Sequence, residues 1–235
     1  MKKLIIIPTY NERGNIGALI KKIFHIVKDI DILVIDDNSS DGTSEIVKKI
    51  AYKDKRVHLI EREAKLGLGT AYIRGFKWAI KRDYRVVMEM DADFSHPPEA
   101  LPIFLKLIKK YDVVIGSRYI PRAKVLNWPK KRYLLSRWAN IYARLFTGIP
   151  VNDLTAGYKC FRSSVLTSIL KHTIESEGYA FQIEVNFWVH QEGYKIKEIP
   201  IIFKERRVGV SKLSKNIIYQ AFFLVLKLAW RSFFA

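Results

Sequence analysis

Cysteine is nearly absent from this 235-residue chain. The single Cys160 excludes an intramolecular disulfide and a thiolate metal cluster, and fits a reducing cytosol. The five histidines show no metal-ligand spacing, and no Ser/His/Asp or Cys/His constellation is supported. Internal repeats and low-complexity tracts are missing. So is a nucleic-acid module with its own signature, which leaves nucleic acid without a specific case. The apolar run after Met1-Lys2-Lys3 stops at Pro8, too short for the core of a signal peptide. Acid is missing from residues 113–152, yet Arg118, Arg122, Lys124, Lys130, Lys131, Arg132, Arg137 and Arg144 all fall there.

Apolar residues make up 49% of the 27.4 kDa chain, enough to bury the core of one α/β domain. The net charge of +18 is unevenly spread. Residues 1–117 carry 21 Lys/Arg against 16 Asp/Glu, and residues 118–235 carry 20 against 7. A basic second half fits a solvated face, an anionic membrane surface, a phosphate-bearing substrate or nucleic acid.

Apolar runs at Lys3–Ile7, Asp31–Asp36, Arg56–Glu61, Arg85–Met90 and Asp112–Gly116 lack alternation, as buried parallel strands do. Helical spacing separates them, as in Ile16, Leu19, Ile20, Ile23 and Val27. A further helix is expected from Pro98 to Lys110, and a further strand over Ile196–Phe203. Alternating strands and helices predict a mostly parallel, Rossmann-like α/β sheet with helices on both faces. Ligands bind such sheets beyond the carboxyl ends of the strands. Four polar clusters stand at such ends: Pro8–Glu12, Asp36–Asp41, Asp91-Ala92-Asp93 and Ser117-Arg118. Two carboxylates two residues apart at a strand end can face one hard cation, and Mg²⁺ or Mn²⁺ is commonly shared with substrate phosphates. Alone, Asp91 and Asp93 would read as a solvated acidic turn; four clusters on one rim favour a nucleotide diphosphate site. Gly67-Leu68-Gly69 lacks the third glycine of a dinucleotide fingerprint and follows the third strand, so its glycines are read as allowing close backbone approach.

Beyond residue 120 the pattern changes. Residues 127–147 form a basic amphipathic helix, with Leu134, Trp138, Ile141, Tyr142 and Leu145 at helical spacing between arginines. Such a helix lies in a membrane interface or packs on the domain. The last helix, residues 214–235, is strongly apolar but carries Lys227 and Arg231, which favours an interfacial position over a span. The α/β domain is accordingly bounded at 1–213.

Pro8-Thr9-Tyr10-Asn11-Glu12, Asp36-Asp37, Gly67–Gly75, Met90–Pro97, Gly116–Tyr119, Asn127-Trp128-Pro129, Gly178–Glu184 and Glu198–Ile201 through Gly209-Val210-Ser211-Lys212 together match a known pattern. The chain resembles the inverting GT-A glycosyltransferases of family 2, and among them the dolichyl-phosphate (polyprenyl-phosphate) mannose synthases without their own transmembrane domain. The resemblance implies transfer of mannose from GDP-mannose to dolichyl or polyprenyl phosphate with Mg²⁺ or Mn²⁺. It implies a peripheral position on the cytoplasmic face of a membrane, in some organisms beside small membrane subunits. Pro8, Tyr10, Glu12, Ile35 and Asp37 would hold base and ribose. Asp91, Ala92 and Asp93 would lie at the diphosphate, with Asp93 the direct metal ligand and Asp91 supporting it. Ser95 replaces a glutamine of other members at a metal-side position. Arg118, Arg132, Ser136 and Arg206 would take the acceptor phosphate, Arg118 and Arg206 would also reach the nucleotide sugar, and Lys212 would lie near the donor diphosphate; Asp91, Asp93, Arg118 and Arg206 would form the catalytic set. The Gln-x-x-Arg-Trp signature of processive synthases is missing: Ser136-Arg137-Trp138 follows Leu134, which argues against polymerisation. A UDP-glucose-dependent relative is the neighbouring alternative, and a non-enzymatic basic membrane- or nucleic-acid-binding protein the distant one.

Overall fold

In a computed structural model of the chain, residues 1–205 and 215–234 are described, with side chains of the last helix over 222–231. The strands are β1 Lys3–Thr9, β2 Asp31–Asp36, β3 Val57–Glu61, β4 Val86–Glu89, β5 Val113–Ser117, β6 Lys124–Leu126, β7 Lys159–Arg162, β8 Ile196–Pro200 and β9 Ile202–Lys204. The α-helices are α1 Ile16–Ile26, α2 Thr43–Lys53, α3 Leu68–Lys81, α4 Leu101–Leu107, α5 Lys130–Thr147, α6 Ser163–Ile169, α7 Gly178–Gln191 and α8 Lys215–Phe234.

Seven strands form one sheet in the order β3-β2-β1-β4-β7-β5-β8. All pair in parallel except β7, which runs antiparallel between β4 and β5. The expected mostly parallel GT-A architecture is therefore observed. The unbroken apolar strands are explained by two cores, one on each face. Leu4 and Ile6 enter one with Leu33, Ile35 and Val87; Ile5 and Ile7 enter the other with Ile32, Val34 and Met88. Successive side chains point to opposite faces, and both faces are covered, so no polar position is left on the strand.

Two expected elements are divided. The helix from Pro98 begins as a 3₁₀ turn, Pro98–Ala100, and becomes α-helical only from Leu101. Pro102 has no N–H to return to Pro98, so the continuous α ladder cannot start there. The strand expected over Ile196–Phe203 breaks at Ile201. Its first part lies on the sheet edge against β5, where Pro200 is tolerated. Its second part pairs with β6 in a separate two-stranded ribbon. Ile201 joins the two, donating its N–H to Ser117 O (3.1 Å) while its carbonyl accepts Lys124 N–H (3.0 Å).

Pro8 sits inside β1 without cost. The ladder toward β4 ends at Ile6, and only the β2 side continues to Thr9. The missing N–H falls on the finished side. The carboxyl ends of β1, β2, β4, β5 and β8 reach one rim. Because β7 runs the other way, its entering segment, Thr155-Ala156-Gly157, arrives at that rim too.

Candidate active site

The rim encloses a cavity of about 620 Å³. Pro8, Tyr10, Glu12 and Asp37 line one side, Asp91, Ala92, Asp93 and Ser95 the floor, and Arg118 and Arg132 the opposite side. Ile35 lies beneath it with its side chain in the core. Ser136 is not among the lining residues; its hydroxyl accepts Tyr119 OH at 2.7 Å. Arg206 and Lys212 fall outside the described residues.

The loops that follow β1 and β2 brace one another. Asn11 and Asn38 take left-handed backbone (φ 59° and 57°), which short amide side chains tolerate. Asn11 N–H donates to Ser39 Oγ (2.8 Å), and Asn11 Oδ1 accepts Ser40 N–H (3.1 Å). Asp36 is buried beneath them and accepts from Thr9 Oγ1, Ser39 N and Oγ, and Ser44 Oγ at 2.7–2.9 Å. Asp37 pairs with buried Arg62 and accepts Gly67 N–H at 3.2 Å. Arg62 also donates to Gly67 O and Thr70 Oγ1, both at 2.7 Å. Gly67 needs its missing side chain twice over: its φ is +96°, and a Cβ would stand 2.3 Å from Glu177 Oε2. Glu177 in turn accepts Gly69 N–H at 3.1 Å and lines the cavity. The close approach expected at these glycines is thus to the 175–178 segment.

On the floor, the chain reverses after β4 through Phe94, held at φ +62°. That is a costly position for an aromatic residue, of the kind that collects at functional sites. Asp93 Oδ1 accepts Ser95 N–H (3.0 Å) and is only 7% exposed; the Asp91 side chain is 39% exposed. His96 turns back beneath them. Its Nδ1 accepts Asp91 N–H (3.0 Å), its ring stacks on Tyr158 at 4.9 Å, and Nε2 lies 3.8 Å from Asp91 Oδ2. Burial keeps the ring neutral, its pKa pushed down to about 4. Below, Glu89 and Lys159 face each other across the β4–β7 pair. Burial pushes Glu89 up to about 7 and Lys159 down to about 8, each opposed by the charge of the other.

The basic side is built differently. Arg118 is buried and bound by Asp153 through Nε, Nη2 and its backbone N–H (2.7–2.8 Å). Burial works against its charge, and the Asp153 carboxylate outweighs that, holding the guanidinium above its usual range. Arg132, from the first turn of α5, pairs with Glu205. The Trp128 ring lies beside both guanidinium groups, 4.2 Å from Arg132 and 5.5 Å from Arg118.

With this geometry in view, the comparisons with known proteins are specific. Residues 4–170 match the family described as glycosyl transferase family 2. The chain is 44% identical to the polyprenol monophosphomannose synthase of Mycolicibacterium smegmatis, covering 95% of this chain and 85% of that protein. The chain belongs to glycosyl transferase family 2. This transferase is also 43% identical to the undecaprenyl-phosphate mannosyltransferase of Micrococcus luteus, over 94% of its own length and 91% of the relative. Its fold is shared with glucosyl-3-phosphoglycerate synthase from Mycobacterium tuberculosis, solved with Mn²⁺, UDP and glucosyl-3-phosphoglycerate: TM-score 0.70 at 18% identity, covering 97% and 80% of the two chains.

Sequence reasoning passed over several residues in or behind the transferase's cavity wall. Arg62 and Glu177 are single charges in unremarkable contexts, and only the fold brings them to Gly67. Asp153 had a signal: it is the first acid after the acid-free stretch. Among the described residues no cluster of three or more His, Cys, Asp or Glu side chains could hold a metal by itself. Two carboxylates on a cavity floor suit a hard cation whose remaining ligands are substrate oxygens and water.

The outer surface of α5 is apolar. Leu134, Trp138 (67% exposed), Ile141 and Leu145 face outward, while Asn140, Ala143 and Thr147 face the domain. Helix α8 packs beside it, with Tyr142 and Phe222 stacked at 5.0 Å. Val225, Leu228 and Ala229 are buried; Phe223 and Trp230 (68% exposed) are not. Each of these helices thus has one face packed on the domain and one face exposed. No described helix is long and apolar enough to cross a membrane.

Proposed function

We propose that this transferase moves mannose from GDP-mannose to the phosphate of a polyprenyl or dolichyl phosphate, with inversion at the anomeric carbon. One observation carries the reading: a single cavity is lined by the acids Asp91 and Asp93 on its floor and by the arginines Arg118 and Arg132 to one side. A divided site of this kind suits a nucleoside diphosphate on one side and a phosphate acceptor on the other. The names of the two relatives supply the sugar and the lipid class.

Pro8, Tyr10, Glu12 and Asp37 hold the nucleoside, with Ile35 supporting the strand beneath. Asp93, with Asp91 beside it and Ser95 next to the turn, would hold Mg²⁺ or Mn²⁺, which would supply Lewis-acid stabilisation of the departing diphosphate. Arg118 and Arg132 receive the acceptor phosphate, Arg through its forked donors. Ser136 and Tyr119 brace that side, and Arg206 and Lys212 are assigned to it and to the donor diphosphate from the sequence alone. The acceptor is a phosphate monoester with a second pKa near 6, so its oxygen is largely ionised at neutral pH and needs no general base. Attack proceeds on an anomeric carbon of oxocarbenium character as the diphosphate leaves. Attack from the side opposite the leaving group inverts the configuration.

The exposed apolar faces of α5 and α8, with Lys130, Lys131, Arg137 and Arg144 around them, rest on an anionic membrane surface on its cytoplasmic side. This brings the cavity to where a polyprenyl phosphate presents its head group. The test is product formation: protein, polyprenyl phosphate and Mg²⁺ or Mn²⁺ are incubated with GDP-mannose or UDP-glucose. Polyprenyl phosphate mannose from GDP-mannose is the expected product. A glucosyl lipid from UDP-glucose, or no lipid product from either donor, contradicts the reading.

A further inference from the structure

Asp153 ends the long acid-free stretch and lies in the segment that carries the chain from α5 into β7. It has no solvent exposure. All of its contacts with Arg118 are charge-assisted. Oδ2 accepts the Arg118 backbone N–H and Nε–H, both at 2.8 Å, and Oδ1 accepts Nη2–H at 2.7 Å. The second Nη2 hydrogen is taken by Thr155 Oγ1, also at 2.7 Å. Among the described residues Nη1 makes no hydrogen bond. The guanidinium plane is thus fixed by three of its five N–H groups, and two remain for a ligand.

The clamp is itself anchored from both directions. Glu198 of β8 accepts Asn152 N–H, Asn152 Nδ2–H and Asp153 N–H at 2.8–3.1 Å. Asn140 of α5 accepts Thr155 N–H with Oδ1 (3.2 Å) and donates Nδ2–H to Thr155 Oγ1 (3.1 Å). Glu198 and Asn140 therefore hold the two ends of the Asn152–Thr155 turn. The Trp128 and Phe203 rings stand 5.5 and 5.4 Å from the guanidinium carbon and restrict its other approaches.

We infer that Asp153 is a positioning residue: it holds Arg118 in one orientation so that Nη1 is presented to the acceptor phosphate. Its oxygens are engaged by three N–H donors, so it is placed to orient a cation and not to collect a proton. The pair carries no net charge. Arg118 then contributes direction more than attraction. The inference rests on the reading of Arg118 as an acceptor contact.

The test is a double-mutant cycle on the whole protein with Arg118→Ala, Asp153→Asn and the two combined, reading acceptor KM, GDP affinity, kcat against pH, and thermal unfolding. Asp153→Asn is expected to raise acceptor KM by about tenfold with GDP affinity and the shape of the pH profile unchanged. In the Arg118→Ala background it is expected to add less than about twofold, because its partner is gone. Thr155→Val leaves the ion pair in place and removes one anchor of Nη2. It is expected to raise acceptor KM by roughly two- to fivefold with a smaller fall in unfolding temperature than Asp153→Asn, and it serves if Asp153→Asn does not fold. An undiminished Asp153 effect without Arg118, or loss of one limb of the pH profile, overturns the positioning role. So does an unchanged acceptor KM in both Asp153→Asn and Thr155→Val. An unchanged acceptor KM in Arg118→Ala removes the acceptor reading itself, and the proposal with it.

Discussion

The two sides of the cavity hold their charges in opposite ways. At the ends of β2 and β4, Asp36 and Asp93 are held by hydroxyls and backbone N–H groups from neighbouring turns, while Asp37 is paired with Arg62. Asp36 is bound by Thr9, Ser39 and Ser44, and Asp93 by the Ser95 N–H. Their partners lie within a few residues or on the adjacent loop. At the Arg118 and Arg132 side, long cations are held by acids and aromatic rings from distant segments. Arg118 leans on Asp153, Trp128 and Phe203, and Arg132 on Glu205. A carboxylate held by neutral donors keeps its charge for a cation. An arginine held by a carboxylate gives up most of its long-range attraction and keeps its hydrogen-bond geometry. The first arrangement suits gathering a metal and a diphosphate, the second suits placing one anion beside another.

Removing a charge from each side should therefore have different consequences. The largest is expected at the floor: Asp93→Ala should lower kcat by roughly a thousandfold, read by single-turnover transfer, while the protein stays folded. Normal turnover in that variant would return Asp91 and Asp93 to the status of an acidic turn. Next comes Asp37→Ala, which leaves Arg62 buried without its carboxylate. It should cost about 3 kcal/mol, read as a fall in Tm of roughly 6–12 °C, together with weaker GDP binding. An unchanged Tm would show that the nucleotide-side network is not braced through Arg62. The smallest effect on the fold is expected outside the cavity. Trp138→Ser with Trp230→Ser should change stability by less than about 1 kcal/mol in total, since both rings are exposed, yet weaken binding to anionic liposomes several-fold. Equal liposome binding would leave the outer faces of α5 and α8 without a membrane role.

The same contrast decides what could be read from the sequence. The rim clusters were legible because each is contiguous and ends a recognisable apolar strand, as Asp36-Asp37 and Asp91-Ala92-Asp93 do. The sheet was legible for the same reason, since Leu4, Ile5, Ile6 and Ile7 require cover on both faces. The direction of β7 was not legible, because strand periodicity is the same whichever way a strand runs. That reversal brings Thr155 and Gly157 to the rim. Asp153, Glu205 and Glu177 act through partners 35, 73 and 108 residues away, and no local pattern announces such pairs. Helix α5 was legible as amphipathic but not in its facing. The stripe of Leu134, Trp138, Ile141 and Leu145 points outward, and the domain receives Asn140, Ala143 and Thr147 instead. Asn140 is buried there because it serves Thr155.

The central claim is that one cavity separates donor and acceptor, and paired binding measurements test it most directly. GDP affinity in the presence of Mg²⁺ or Mn²⁺ and KM for a short-chain polyprenyl phosphate are measured for the parent protein and Arg132→Ala. The expected result is an acceptor KM raised by about tenfold with GDP affinity unchanged. Loss of GDP affinity with an unchanged acceptor KM would move Arg132 to the donor and contradict the division.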